Sequence, residues 1–236
     1  METIQKMLIL AVETATSQQS VSILEENTVL GVCRRDVEGS HTRWLIPSID
    51  ELLTSLSLEM VDISGLALSI GPGSFTGLRA GLSTMLGFRL AFDLPLVTIS
   101  TLEGMAWNYH PNHEMICPML KARAGEVYWA CFRWEGEALV RMTDDQAGSL
   151  SSLIDYLQEP AWVFGEGWTI NQHEWLKRSD MFKPLSSEIQ EISAASIGLA
   201  SLERFRVGDV APRGIAPQYV LPPYASLMKS TKKPDP

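Results

Sequence analysis

Positive charge is scarce in this sequence. Its 236 residues carry 19 lysines and arginines against 28 aspartates and glutamates, a formal net charge of -9. So acidic a chain does not bind nucleic acid broadly through its own surface; if RNA is involved, a partner supplies the basic face. Cysteine is scarce too. Cys33, Cys117 and Cys131 are odd in number, far apart and without a CxxC pair, which excludes a zinc ribbon and a disulfide framework and fits a reducing cytoplasm. No apolar run approaches the roughly 20 residues of a membrane span. Met1 to Lys6 leads directly into a β-patterned segment, so neither an anchor nor a secretory leader is expected.

Patterns that carry chemistry are equally thin. His110 and His113 have an HxxH spacing that flanks Pro111, and His173 opens HEWLK, which fails the zinc-protease HExxH at its last position. His41 is followed four residues later by Leu45, not by a second ligand. No metal site is expected. There is no Gly-x-Ser-x-Gly elbow, and Ser149, Ser151 and Ser152 read as helix caps, so no catalytic residue is assigned.

What is present is organised around Leu66 to Ala106. Leu66 to Ile70 is an apolar run suited to a buried strand, Gly71, Pro72 and Gly73 stop it, and Ser74 and Thr76 are placed to cap a helix from Phe75 to Phe92. Asp93 and Pro95 end the helix, and Leu96 to Ile99 is a second strand, giving a right-handed βαβ unit with a parallel pair. Gly77, Gly81 and Gly87 lie inside the helix, among Ala80, Ser83, Thr84 and Ala91. A helical glycine costs roughly 1 kcal/mol against alanine, so close approach of another backbone must offset it. Two arrangements stay open: a tight seat on the chain's own sheet, or a helix of another chain. The turn GPGSFTG lacks the Gly-Lys-Ser/Thr of a P-loop, and Pro72 removes a donor N–H, so it is a poor phosphate loop.

The rest of the chain supplies two sheets. Leu8 to Val12, Val21 to Leu24 and Val29 to Arg34 read as an antiparallel meander, and Thr42 to Leu56 as a helix with Ser40 as its N-cap. With the βαβ unit this makes a ribonuclease H-like order. HPNHE, following Tyr109, reads as a domain boundary. Met115 to Leu120, Glu126 to Trp134, Ala138 to Thr143 and Ala161 to Phe164 then read as strands, with helices at Leu150 to Leu157, Ile170 to Arg178 and Ala194 to Arg206. The expected domains are residues 1–104 and 105–220, with a polar, proline-bearing tail at 221–236 expected to be disordered.

GPGSFTGLRAGLSTMLGFRLAFDLPLVTISTLEGMA resembles the signature of the TsaB (YeaZ) family, the bacterial accessory proteins of tRNA threonylcarbamoyladenosine synthesis. ILAVETAT at Ile9 to Thr16, HTRWLIP at His41 to Pro47, ARAGEVY at Ala122 to Tyr128 and APQYV at Ala216 to Val220 agree in order. The resemblance is dense up to Ala106 and thin between Arg133 and Pro212. It implies an α/β fold of two ribonuclease H-like, actin-like (ASKHA) half-domains, each a mixed sheet with helices. It also implies a non-catalytic subunit that pairs with TsaD, the metal-bearing paralogue that transfers threonylcarbamoyl to the adenosine beside the anticodon of tRNAs. TsaE, a small ATPase, joins that pair. A homodimer forms when TsaD is absent, and tRNA is reached only through the complex. No cofactor is bound tightly; ATP and metal belong to the partner subunits.

Carried onto this sequence, the implied partner interface is the His41 to Leu53 helix with the Thr76 to Leu90 helix: His41, Trp44, Leu45, Leu78, Arg79, Gly81, Leu82 and Leu86. Gly81→Leu is then expected to abolish association and leave the monomer folded. Glu13, Thr14, Arg123 and Glu126 mark a vestigial nucleotide cleft. Lys121 stands where the family usually has aspartate, and Glu13 where aspartate is common. The alternative is an ATP-dependent small-molecule kinase of the same fold. Glu13, Thr14 and Thr16 suit its first phosphate turn, but only GEGW at Gly165 to Trp168 offers more, and Glu166 there repels phosphate.

Overall fold

A computed structural model describes residues 6–37, 40–111, 113–123, 125–176, 180–185 and 192–221. The tail expected at 221–236 lies outside these residues beyond Leu221. The first sheet begins with the expected meander, β1 (Leu8–Glu13), β2 (Gln18–Glu25) and β3 (Thr28–Asp36), followed by helix α1 (His41–Ser55). β4 (Gly65–Ser69), α2 (Phe75–Phe92) and β5 (Leu96–Ile99) form the βαβ unit, and the strand order is β3-β2-β1-β4-β5 with β1, β4 and β5 parallel. The short helix α3 (Thr101–Ala106) leads out to the second sheet.

That sheet is built on β6 (Met115–Lys121), with β7 (Val127–Trp129), β8 (Phe132–Glu135), β9 (Ala138–Arg141) and β10 (Gln146–Gly148) on one side of it. Helix α4 (Leu150–Tyr156), β11 (Ala161–Phe164), α5 (Glu166–Leu176) and β12 (Phe182–Pro184) complete it, with β11 parallel to both β6 and β12. The run expected as one strand from Glu126 to Trp134 is two. β7 and β8 pair with β6 in one continuous register, but the ladder lapses opposite Pro118, which has no N–H to give. Cys131 turns the other way, its N–H donating to Thr143 Oγ1 at 2.8 Å. Helix α5 starts at Glu166, four residues before the expected Ile170, because GEGW is its first turn: the Thr169 N–H donates to the Gly165 carbonyl at 3.0 Å.

Caps follow the sequence in part. Ser74 accepts from the Gly77 N–H at 3.2 Å, and Asp93 ends α2 in the left-handed region at φ 52°. Ser40 and Ser149 occupy N-cap positions without a side-chain bond to their helices, and the Ser152 hydroxyl donates to the Ser149 carbonyl instead.

The layers explain the uninterrupted apolar run of β1, since a strand covered on both faces needs apolar residues at both parities. Leu10 and Val12 face α1 and α2, while Ile9 and Ala11 face a second core with Phe132, Trp134 and Phe164 of the other sheet. Helix α6 (Ala194–Val207) also lines that second core. Sequence order places α6 after the second sheet, yet it packs across β1, β2, β4 and β5 of the first. A third core, with Trp168, Trp175 and Phe182, lies under α5. Among the described residues no helix is long and apolar enough to cross a membrane.

Candidate functional site

The parallel strands of both sheets end at one cleft, where α/β folds place their ligands. β1 delivers Glu13 and Thr14, β4 leads into the Gly71–Ser74 turn, β6 delivers Lys121, and β11 leads to Glu166. Two adjoining cavities open there. One, of about 230 Å³, is lined by Thr16, Ser17, His41, Ser74, Lys121 and Glu166. The other, of about 370 Å³, is lined by Phe75, Lys121, Arg123, Tyr128, Gln218 and Tyr219.

Glu13 does not reach into this cleft as a charge. It is fully buried; its Oε1 accepts from the Ala15 N–H and from Ser69 Oγ, and its Oε2 has no hydrogen-bond partner among the described residues. Burial pushes its carboxyl up to about 8 from an ordinary 4.5, against the opposing pull of those bonds. Thr14 Oγ1 is likewise buried without a partner among the described residues. His41 is 1% exposed, and burial lowers its imidazole, a bond to the Thr16 backbone opposing. Glu126 donates its backbone N–H to the Arg123 carbonyl at 3.0 Å, and its Oε2 is buried without a partner among the described residues.

The expected interface divides in two. Leu45, Leu78 and Leu82 are buried in the chain's own interior, as are His41 and Gly81, so none of these lies on the outer face of the helix pair. A Cβ on Gly77 would fall far inside van der Waals contact distance of the Thr14 carbonyl oxygen, and one on Gly81 inside that of Thr14 Oγ1. The close approach that these two glycines permit is therefore to the β1–β2 turn. Gly81→Leu strikes the fold, contrary to the expectation from sequence. Gly87 differs: nothing lies within 4 Å of its added Cβ, and it sits on the outer face with Ser83 and Leu90.

On these helices Leu90 is 88% exposed and Ile46 50%, and Leu86 and Trp44 are half-buried. Two guanidiniums cover the Trp44 ring, Arg35 at 4.6 Å and Arg43 at 5.0 Å. Arg79 is held by its own chain, donating to the Tyr219 hydroxyl at 3.0 Å and lying 3.8 Å over the Phe75 ring. Sequence reasoning missed Ile46 and Leu90, although Leu90 continues the Leu86 stripe by one turn. It also missed Tyr219 and Phe75, whose pairing across 144 positions leaves no local signal.

Of the histidine motifs, His110 stacks on Trp134 at 4.1 Å between centroids. Among the described residues no three His, Cys, Asp or Glu side chains converge as metal ligands.

Two mixed sheets that open a cleft at the ends of their parallel strands define a protein of the actin-like, ASKHA class. The family model described as TsaD: tRNA N6-adenosine threonylcarbamoyltransferase matches residues 14–211. The chain belongs to this family and, within it, to the TsaB (YeaZ) group. It is 36% identical over 143 residues to the tRNA threonylcarbamoyladenosine biosynthesis protein TsaB of Escherichia coli (strain K12), covering 56% of this chain and 60% of that one. The match thus spans less than two thirds of the Escherichia coli protein. The protein of the same name from Haemophilus influenzae is 31% identical over 183 residues, covering 70% of this chain and 74% of its own. The solved structure described as YeaZ from Pseudomonas aeruginosa has a TM-score of 0.78 at 21% identity, over 90% of this chain and 99% of that chain.

Proposed function

We propose that this chain is the non-catalytic subunit of a cytoplasmic tRNA threonylcarbamoyladenosine machinery. Its outer α1–α2 face binds the TsaD-type catalytic subunit, and TsaE joins that pair. The same face forms a homodimer when the catalytic subunit is absent. ATP and metal act on the partners, and tRNA is met through the complex.

Glu13 carries the reading. A kinase of this fold needs an ionised carboxylate facing the cleft to hold a metal and phosphates. Here the carboxyl in that position is enclosed, its Oε1 taken by the Ala15 N–H and Ser69 Oγ, and burial pushes it up to about 8. The exposed Ile46 of α1 and Leu90 of α2, the latter one turn from Gly87, which admits close approach, suit a partner helix.

The test is threonylcarbamoyl transfer to unmodified tRNA by the adenylate-forming enzyme, TsaD, TsaE, threonine, bicarbonate and ATP, with and without this chain. Modification is expected only when the chain is present; equal modification without it would sink the proposal. Replacing both exposed anchors, Ile46→Glu with Leu90→Glu, is expected to weaken co-elution with TsaD. At about 1–2 kcal/mol for each buried anchor, the loss is at least about tenfold. The melting temperature should barely move, because the two side chains make little of the fold. Unchanged affinity would place the contact elsewhere.

A further inference from the structure

Glu103 on α3 takes two guanidiniums at once. Arg204 of α6 donates to its two oxygens at 2.8 and 3.0 Å, and Arg141, at the end of β9, donates to it at 3.2 Å. Arg141 also donates to Asp145 at 2.7 Å, and Asp145 accepts from Ser100, the N-cap of α3, at 2.8 Å. A second Arg204 nitrogen donates to the Thr98 carbonyl of β5 at 2.6 Å. Five side chains therefore run without a break from the first sheet, through the connecting helix, to the second. The Asp145 side chain is 1% exposed and that of Glu103 15%. Beside them the sheets share one apolar core, in which Ile9 and Val97 of the first meet Phe132 and Trp134 of the second around Leu102 and Met105 of α3.

Stability alone does not account for such a network. Desolvation of buried ions offsets most of their attraction, and apolar side chains of similar volume serve as well or better. Direction is what it adds, because the donors of a planar guanidinium point in fixed directions: Arg141 divides two nitrogens between Asp145 and Glu103, and Arg204 divides two between Glu103 and the Thr98 carbonyl. We infer that Ser100, Glu103, Arg141, Asp145 and Arg204 form a bolt that holds the two sheets in one fixed orientation. The cleft then keeps one width and does not close on a ligand. The halves act as a single rigid body that offers the α1–α2 face to a partner without rearrangement. This holds whichever partner that face meets.

The experiment is a pulsed dipolar distance measurement between spin labels at Asp50→Cys on α1 and Gln172→Cys on α5. Both positions are exposed, and Cys33→Ser removes the half-buried thiol while Cys117 and Cys131 stay buried. The labelled parent, diluted with excess unlabelled chain so that only distances within one chain are read, is expected to show one narrow distance population, unchanged by magnesium and ATP. Asp145→Asn removes a charge at constant size, and Arg141→Met with Asp145→Leu replaces the ion pair by apolar bulk and leaves Glu103 with Arg204. Each is expected to add a second, shifted population while far-ultraviolet circular dichroism is unchanged. If Asp145→Asn fails to fold, the double replacement carries the test. A single parental population in the folded double variant would overturn the inference, even with a lowered melting temperature. A broad distribution in the parent would overturn it without any variant.

Discussion

Gly77→Ala is expected to be among the most damaging single changes in the molecule, although it adds only a methyl group. On helix propensity alone, alanine should stabilise α2 by roughly 1 kcal/mol. The new Cβ instead meets the Thr14 carbonyl oxygen, a backbone atom that moves only if the β1–β2 turn moves, with His41 closing the other side. Overpacking of this kind costs about 3 kcal/mol or more where no flexible side chain can yield. For a chain of this size that is a fall of roughly 6–12 °C in melting temperature. Gly87→Ala, ten residues along the same helix, has open space around its Cβ and should raise the melting temperature by roughly 2–4 °C. Thermal melts of the two variants against the parent read both effects, and a parental melt for Gly77→Ala would refute the packing described.

Glu13→Gln should stabilise the protein at neutral pH and remove a slope from its pH profile. The folded chain holds the Glu13 proton up to about pH 8, whereas an ordinary carboxyl releases it near 4.5. Between those values the folded state binds more protons than the unfolded one, so the Glu13 contribution to stability falls as pH rises. Above about 8 both states are ionised and the slope ends. At pH 7 the loss has an upper bound on the order of 3 kcal/mol. Glutamine keeps an oxygen for the Ala15 N–H and for Ser69 without carrying a charge into the interior. Urea unfolding across pH 4.5 to 8.5 should therefore give two curves that meet at the acid end and separate above it. Parallel curves would mean that the carboxyl is already ionised in the folded chain.

Much of the first sheet could be read from residues alone, because its strands are short apolar runs and its turns carry strong punctuation. α2 runs from Phe75 to Phe92 as Ser74 and Asp93 require, and β5 spans Leu96 to Ile99 as the residues after Pro95 require. The second sheet was harder. β10 and β12 are three residues each, too short to show an alternation, and the gap between β7 and β8 depends on Pro118, a residue in a different strand. The faces of α2 were hard to tell apart for a related reason. α2 is apolar on more than one side, so periodicity finds the stripe Leu78, Leu82 and Leu86, which Leu90 continues, without saying which positions meet the sheet and which meet water. Three-dimensional context separates them: Leu78 and Leu82 are inside, and Leu90 is out. The depth of Glu13 was invisible for the same reason, since it depends on packing against residues remote in sequence, such as Ser69, 56 positions on.

The position of α6 sets a timetable for synthesis. The Ala194 N–H donates to Ser20 Oγ, across 174 positions of the chain, and α6 covers the face of the first sheet that carries Ala11, Ala67 and Val97. On the ribosome, β5 emerges about 95 residues before that helix begins, which at roughly 5–20 residues per second leaves the face uncovered for roughly 5–20 s. During that interval the nascent N-terminal half has its strands but not its lid, and its apolar face is open to chaperones and to neighbouring chains.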